Sequence, residues 1–135
     1  MMSLSHLVES YKFWDIVVLW AKERLEHEDI VARALARGII CDGLKFESVD
    51  SRWFKGKEME LRGYPYVGYF AKPGETMVIL NAETLEHLLS IVNTAKTPSR
   101  RKIKDEFVLR NDFKKWLKET GQPLPIFWFS EEERI

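Results

Sequence analysis

Residues 123–135 read PLPIFWFSEEERI, a segment in which a run of large apolar side chains lies close to the end of the chain. The run consists of Ile126, Phe127, Trp128 and Phe129. Chain ends are usually polar and poorly ordered, so such a segment is stable only where it packs against another apolar surface. Burying one side chain of this size contributes about 1.5–3 kcal/mol, and Pro123 and Pro125 lower the entropy that docking costs. We therefore expect this tail to dock, and residues 130–133 to mark where the contact ends.

An apolar helix near the start of the chain is the expected docking surface. Residues 11–26 follow a helical pattern in which Asp15, Lys22 and Glu26 form one narrow polar stripe, and apolar side chains cover most of the remaining circumference. A helix of this kind is central to a bundle or lies at an interface. The tail would then dock on this helix of its own chain or on that of a second copy. The side chains assigned to the contact are Trp14, Trp20, Phe127, Trp128 and Phe129.

A second helix is predicted for residues 29–41, with Asp29 as its N-cap and Asp42 and a glycine ending it. Asp29, Arg33 and Arg37 recur at every fourth position on one face, a spacing at which acidic and basic side chains are neighbours. The other face is apolar. The two helices together predict an αα-hairpin.

The middle of the chain changes to a strand-like pattern. Residues 66–71 and 76–80 are expected to form strands, joined by a type II turn at 72–75 with proline and glycine in the positions that this turn favours. Residues 77–80 are also consistent with a buried lead-in to the next helix, because periodicity does not separate the two in so short a segment.

Two further helices are predicted in the second half of the chain. One begins after Asn81 as its N-cap and repeats leucine and valine at helical spacing. The other begins after Asn111 and ends at Gly121. These elements predict one domain, residues 1–135, of the α+β class. It is mainly helical, a bundle of about four helices with a small antiparallel β-hairpin in the middle of the chain.

Composition is typical of a folded cytoplasmic protein. The chain has 135 residues, 45% hydrophobic and 31% charged, and is long enough to bury a substantial core. Basic and acidic residues are equal at 21 each, so no overall field steers the protein towards a polyanion. Cys41 is the only cysteine, which excludes an intramolecular disulfide and a thiolate-rich zinc site. The apolar run at residues 16–21 is too short to cross a membrane, so we expect no membrane partner and a cytoplasmic location.

The residue patterns of known catalytic and metal sites are absent from the sequence. His6, His27 and His87 lie in different segments, and none has a second histidine one helical turn away. Cys41 follows apolar residues at the end of a predicted helix, where the dipole opposes a thiolate, so we expect a buried structural thiol. We assign no catalytic residue, no metal and no cofactor. An enzyme of unknown class is kept as the third hypothesis, because a carboxylate pair is not recognisable from sequence alone.

Residues 96–118 carry the charge asymmetry of the chain, with nine basic and three acidic residues and hence a net charge of +6. A basic loop followed by a helix N-terminus is suited to phosphate groups, which predicts a nucleic-acid-associated protein. The residues assigned to phosphate contacts are Arg100, Arg101, Lys102, Lys114 and Lys115. The alternative is a solvated face that offsets acidic neighbours, which a chain of zero net charge favours.

The middle segment also carries an aromatic cluster that a single core does not require. Aromatic residues fall on both faces of the predicted hairpin, so one set is available for a ligand or partner. The residues assigned to this surface are Trp53, Tyr64, Tyr66 and Tyr69. Ordinary core packing is the alternative.

The segment NDFKKWLKETGQPLPIFWF, residues 111–129, resembles a terminal segment of small uncharacterised bacterial proteins. The matching residues are Phe113, Trp116, Leu117, Gly121, Pro123, Leu124, Pro125, Phe127 and Trp128. The chain as a whole is similar to the orphan proteins carried on mobile elements such as integron gene cassettes. The resemblance implies a compact bacterial accessory protein and brings no known active site with it. We expect a binding or oligomerisation module that forms a homodimer, with the nucleic-acid-associated protein as the alternative.

Overall fold

The computed structural model describes residues 8–47, 66–69, 78–103 and 106–134. Along the chain these residues form β1 (Ser10–Lys12), α1 (Phe13–Arg24), α2 (Glu28–Cys41), β2 (Tyr66–Tyr69), β3 (Val78–Asn81), α3 (Ala82–Thr94), β4 (Phe107–Leu109), α4 (Arg110–Glu119) and α5 (Glu131–Arg134). The prediction of a mainly helical α+β fold is confirmed.

The predicted hairpin is present, as the antiparallel pair β2–β3. Tyr66 lies opposite Asn81 and Tyr69 opposite Val78 in the register of this pair. β3 runs directly into α3, and the Asn81 side chain caps that helix by accepting hydrogen bonds from two backbone N–H groups. β3 is therefore both the second strand of the hairpin and the segment that leads into α3, as the two interpretations of this part of the sequence proposed. The predicted turn at 72–75 lies outside the described residues.

A second two-stranded sheet was not predicted from the sequence. β1 pairs antiparallel with β4, and Glu47 adds an isolated bridge to Phe107. Both strands have only three residues, which is too short for an alternating pattern to be recognised. Each strand is followed at once by a helix, so this sheet sets the starts of α1 and α4 side by side.

The sheet also explains two wrong helix starts. α1 begins at Phe13 rather than at residue 11, because the two preceding positions belong to β1. α4 begins at Arg110, so Asn111 lies inside the helix and is not its N-cap. The first N–H groups of these helices donate to backbone carbonyls beside the sheet, from Phe13 to Glu106 and from Arg110 to Glu9. These bonds satisfy the first N–H group of each helix, and neither helix has a side-chain cap.

The start of α2 differs from the prediction as well. His27 is its N-cap, and the Nδ1 atom of His27 accepts a hydrogen bond of 3.1 Å from the backbone N–H of Asp29. Asp29 is therefore a residue of the first helical turn, and its assignment as N-cap is wrong. The predicted end is confirmed, since Asp42 follows the last residue of the helix and Gly43 has a positive φ of 83°.

The core forms around α2, which packs against both α1 and α3. α4 reaches the same helix through Trp116, whose ring lies directly on the backbone of Gly38. The Trp116 Nε1 atom donates to Asp42 Oδ2 at 3.4 Å, at the end of α2. Trp20 and Phe113 pack against this ring and join α1 to α4.

The aromatic tail docks on its own chain. Trp128 is 0% exposed and Phe129 is 1% exposed. The ring of Trp128 packs on Tyr11 of β1 at 4.8 Å and on Phe113 of α4 at 5.3 Å, and its Nε1 donates to the Val8 carbonyl. Ile126 is an exception to the apolar run, because its side chain remains exposed.

The contact between tail and body extends beyond the aromatic residues. The Glu23 carboxylate of α1 accepts hydrogen bonds from the backbone N–H groups of Ile126 and Phe127 at 3.0 and 2.8 Å. Glu133 in α5 turns back to pair with Arg110, whose guanidinium also lies over the ring of Phe129. Residues 130–133 were expected to mark where the contact ends; Glu131 and Glu132 are exposed, and Glu133 fixes the far end of the tail.

Candidate ligand-binding groove

A groove of about 300 Å³ lies between α2 and α3. The residues that line it are Arg33, Ala34 and Arg37 of α2 and Ile91 and Val92 of α3. Ligand sites in proteins range from about 300 to about 1,000 Å³, so this groove has room for a small molecule. Its lining combines a basic wall with an apolar one.

The helical positions of the lining residues produce this division. Arg33 and Arg37 are one turn apart and project from the same face of α2, with Ala34 between them. Across the groove, Ile91 is buried in the core and Val92 is packed against it. The apolar wall is therefore held by the core, whereas the guanidinium groups are at the surface and free to adjust.

The groove arginines have no acidic partner in the part of the chain that the structure describes. Among the described residues, neither Arg33 nor Arg37 makes a hydrogen bond or ion pair through its side chain. Asp29 is one turn before Arg33, yet no ion pair joins them in this part of the structure. The spacing predicted that Asp29, Arg33 and Arg37 are neighbours on the helix, but their side chains do not form ion pairs with one another.

Several other arginines among the described residues are paired with carboxylates. Arg24 lies 3.3 Å from Glu26, and Arg100 lies 2.8 Å from Glu28. Both guanidinium groups also lie over tryptophan rings, of Trp20 and Trp14 respectively. Arginine beside a carboxylate and an aromatic ring is already engaged, so the groove differs from these two sites in offering cationic donors that no described residue engages.

The described residues that line the groove are suited to binding an anion with an apolar part. Guanidinium groups hold carboxylates and phosphates through paired N–H donors and stay protonated throughout the physiological pH range. The aliphatic side chains of Ala34, Ile91 and Val92 favour an apolar ligand surface. None of the five lining residues is an acid, a base or a nucleophile that could carry out a reaction.

The residues predicted to contact phosphate are largely paired with carboxylates. Lys102 lies 3.2 Å from Glu83, and Lys114 lies 3.8 Å from Glu133. Arg100 is paired as described above, while Arg101 and Lys115 are exposed. The acidic partners come from separate elements, α2, α3 and α5. The basic segment is thus divided among several acidic neighbours, which agrees with the alternative of a solvated, charge-balanced face.

The aromatic residues predicted to form a partner surface are only partly described. Trp53 and Tyr64 lie outside the described residues, and Tyr66 and Tyr69 lie in β2. The core-docking residues separate into two groups. Trp20, Trp128 and Phe129 are buried, whereas Trp14 and Phe127 are partly buried against the core.

A buried polar cluster fastens the loop after α3 to that helix. The Nε2 atom of His87 accepts a hydrogen bond of 3.0 Å from the Ser99 N–H, and the Thr84 hydroxyl lies 2.8 Å from the Lys102 carbonyl. Thr84 also contacts the buried carboxylate of Glu106. Burial, with lesser contributions from nearby lysines, lowers the pKa of His87 below its ordinary value. Sequence reasoning noted His87 only as a metal candidate, because the partners that it meets are distant in sequence.

Cys41 differs from its prediction, since it is exposed at the end of α2 rather than buried. Its position one residue before the C-cap carries the side chain away from the core face that Ile39 occupies.

Within the ranges that the structure describes, no group of three or more histidine, cysteine, aspartate or glutamate side chains could hold a metal ion. In the same ranges no helix has both the length and the apolar character that a bilayer crossing requires.

Comparison of the chain with protein-family models, with curated proteins and with solved structures found no match.

Proposed function

We propose that this protein is a binding module whose groove between α2 and α3 takes a small anionic ligand. The observation that carries the proposal is the pair Arg33 and Arg37, which have no side-chain partner in the described structure and stand beside an apolar wall. In a chain with equal numbers of acidic and basic residues, a nearby carboxylate is easily supplied, as it is for Arg100. Two unpaired guanidinium groups at one groove therefore favour an external anion.

The remaining elements of the proposal come from the sequence. A bacterial accessory protein of the kind found on mobile elements, located in the cytoplasm, is compatible with a small ligand-binding domain. The enzyme hypothesis has less support, because the lining residues that the structure describes carry no acid–base group.

The homodimer and nucleic-acid hypotheses have less support than the groove. Trp128 and Phe129 are buried within one chain, so the tail requires no second copy to cover it. Arg100 and Lys102 are engaged by carboxylates that a phosphate backbone would have to displace. The buried tail and the paired basic residues therefore give these two hypotheses less support than the groove gives to an anion.

Thermal unfolding in the presence of anions tests the proposal. The wild-type protein is heated with acetate, benzoate, inorganic phosphate or phenyl phosphate at constant ionic strength, alongside the double variant Arg33→Gln, Arg37→Gln. A ligand present at ten times its Kd stabilises the folded protein by about 1.4 kcal/mol, which raises Tm by about 5 °C in a domain of this size.

The control is Arg101→Gln, which removes one exposed arginine outside the groove. At least one anion is expected to raise Tm of the wild-type and control proteins and to have no such effect on the double variant. If none of the anions stabilises the wild type more than the double variant, the groove is not an anion site and the proposal is wrong.

A further inference from the structure

We infer that the ligand of this groove is an organic oxyanion, with a carboxylate or phosphate head held by Arg33 and Arg37 and a compact apolar body lying on Ile91 and Val92. This inference rests on the proposed function and goes beyond it, since the proposed function requires only an anion. It follows from the way in which charged and apolar surfaces face each other across one groove.

The head of the ligand is determined by the basic wall. Side chains one helical turn apart have Cβ atoms about 5–6 Å from each other, so Arg33 and Arg37 can both reach one oxyanion. A guanidinium group donates two parallel hydrogen bonds to a carboxylate or phosphate, and two such groups surround the head from both sides. A carboxylate and a phosphate both satisfy these donors. The head of the ligand is therefore defined as a planar or tetrahedral oxyanion and not as one particular acid.

The body of the ligand is determined by the opposite wall. Ile91 is 4% exposed and belongs to the core cluster, and Val92 packs against that cluster. Ala34 is an exposed residue of α2 and adds a methyl group to the lining of the groove. Ile91 is already largely out of water, so an inorganic ion held by the arginines would leave mainly the partly exposed Val92 in water, whereas an apolar body would cover it and gain the free energy of its burial.

The size of the groove limits the size of the body. At about 300 Å³ it is at the lower end of the range for small-molecule sites. A ligand of about ten non-hydrogen atoms, such as a benzene ring with one acidic group, fits this limit.

Titration calorimetry with matched probes separates the contributions of head and body. Benzoate and phenyl phosphate carry both, acetate and inorganic phosphate carry only the head, and benzamide carries the same ring without a charge. Benzoate is expected to bind at least about tenfold more tightly than acetate, because its ring buries apolar area. For the same reason, phenyl phosphate is expected to bind at least about tenfold more tightly than inorganic phosphate. The ratio of the Kd of benzoate to the Kd of phenyl phosphate identifies whether the groove prefers a carboxylate or a phosphate head.

Two variants test the two walls of the groove. Arg37→Gln is expected to weaken all anions, and Ala34→Leu fills the groove and is expected to weaken only the probes that carry a ring. Ala34 is exposed and leucine is a good helix former, so this variant should fold normally, which circular dichroism verifies. Arg101→Gln again serves as the matched control.

The possible outcomes distinguish this inference from the proposed function. If inorganic phosphate and acetate bind as tightly as their ring-bearing counterparts, or if Ala34→Leu leaves ring binding unchanged, the inference fails and the anion site remains. If benzamide binds as tightly as benzoate, the arginines do not select the ligand and both proposals fail. They also fail together if no probe binds to the wild-type protein.

Discussion

Replacing Gly38 by alanine is expected to destabilise the protein, although alanine is the better helix former by about 1 kcal/mol. Gly38 lies inside α2 and is buried beneath the ring of Trp116 from α4. A Cβ atom added at Gly38 would lie 2.5 Å from Cζ2 of that ring and 2.7 Å from Cε2. Carbon atoms in good contact are about 3.5–4.0 Å apart, so either the ring or the helix must move.

The size of the effect depends on how freely the Trp116 ring can move. It packs against the rings of Trp20 and Phe113, and its Nε1 donates to Asp42. Forcing extra atoms into a packed core costs about 1–3 kcal/mol, and this overlap belongs at the upper end of that range. After the gain in helix propensity is subtracted, we expect a net loss of about 2 kcal/mol, which lowers Tm by about 6–8 °C.

Urea unfolding followed by circular dichroism measures this loss, and a second background tests its cause. In a Trp116→Phe protein the shorter ring leaves room for the methyl group, so Gly38→Ala should cost at least about 1 kcal/mol less there than in the wild type. Gly121→Ala is a useful comparison, because nothing lies within 4 Å of an added Cβ and only the positive φ of 70° opposes it. An unchanged or higher stability of Gly38→Ala in the wild-type background would refute the reasoning.

The remaining predictions concern helix ends and titrating groups. Leu25 ends α1 at a φ of 54° with its side chain 92% exposed, so Leu25→Gly should stabilise the protein by about 0.5–1 kcal/mol; Ala95→Gly, at a φ of 55°, should act in the same direction, and a lower Tm for both would contradict this. The hydrogen bond from Arg110 lowers the pKa of Glu133 from 4.5 to about 2, so its contribution is complete above pH 4.5 and is lost as pH falls from there towards 2. Glu133→Gln should therefore unfold more easily at pH 7 and show less acid sensitivity in this range, and identical pH profiles would exclude the effect. Burial lowers the pKa of His87 below 6.5, so the unfolded chain takes up a proton first and stability falls as pH drops below 6.5; a His87→Gln protein should have a flatter profile from pH 7 to 5 in urea titrations, and equal slopes would contradict the prediction.

The long elements of the fold were predictable because their patterns are local. Asn81 and the leucines after it identify α3, and Asp42 with its following glycine marks the end of α2. In each case the decisive residues lie within a few positions of one another, and the physical cause is a cap or a helical face. The same holds for the tail, whose unusual composition was sufficient to predict docking.

The elements that were missed depend on partners distant in sequence. The β1–β4 sheet pairs Ser10 with Leu109, and neither strand is long enough to show alternation by itself. The helix starts at Phe13 and Arg110 are determined by that sheet, so neither the helical pattern from residue 11 nor the cap assigned to Asn111 placed them correctly. A cap residue is preferred only where the backbone lacks another acceptor, and here the acceptor comes from a neighbouring segment.

The sequence predicted only one part of the candidate groove, because the groove also depends on packing between segments that are distant in sequence. The spacing of Arg33 and Arg37 showed that they share a helix face, but the spacing was equally consistent with pairing to Asp29. The absence of that pairing, together with the apolar wall supplied by Ile91 and Val92, becomes visible only once α3 is packed against α2. A site formed by one helix contributing charge and another contributing apolar surface leaves no motif in either segment. Its recognition therefore depends on which charges lack a partner in the folded chain, and not on which charges the sequence contains.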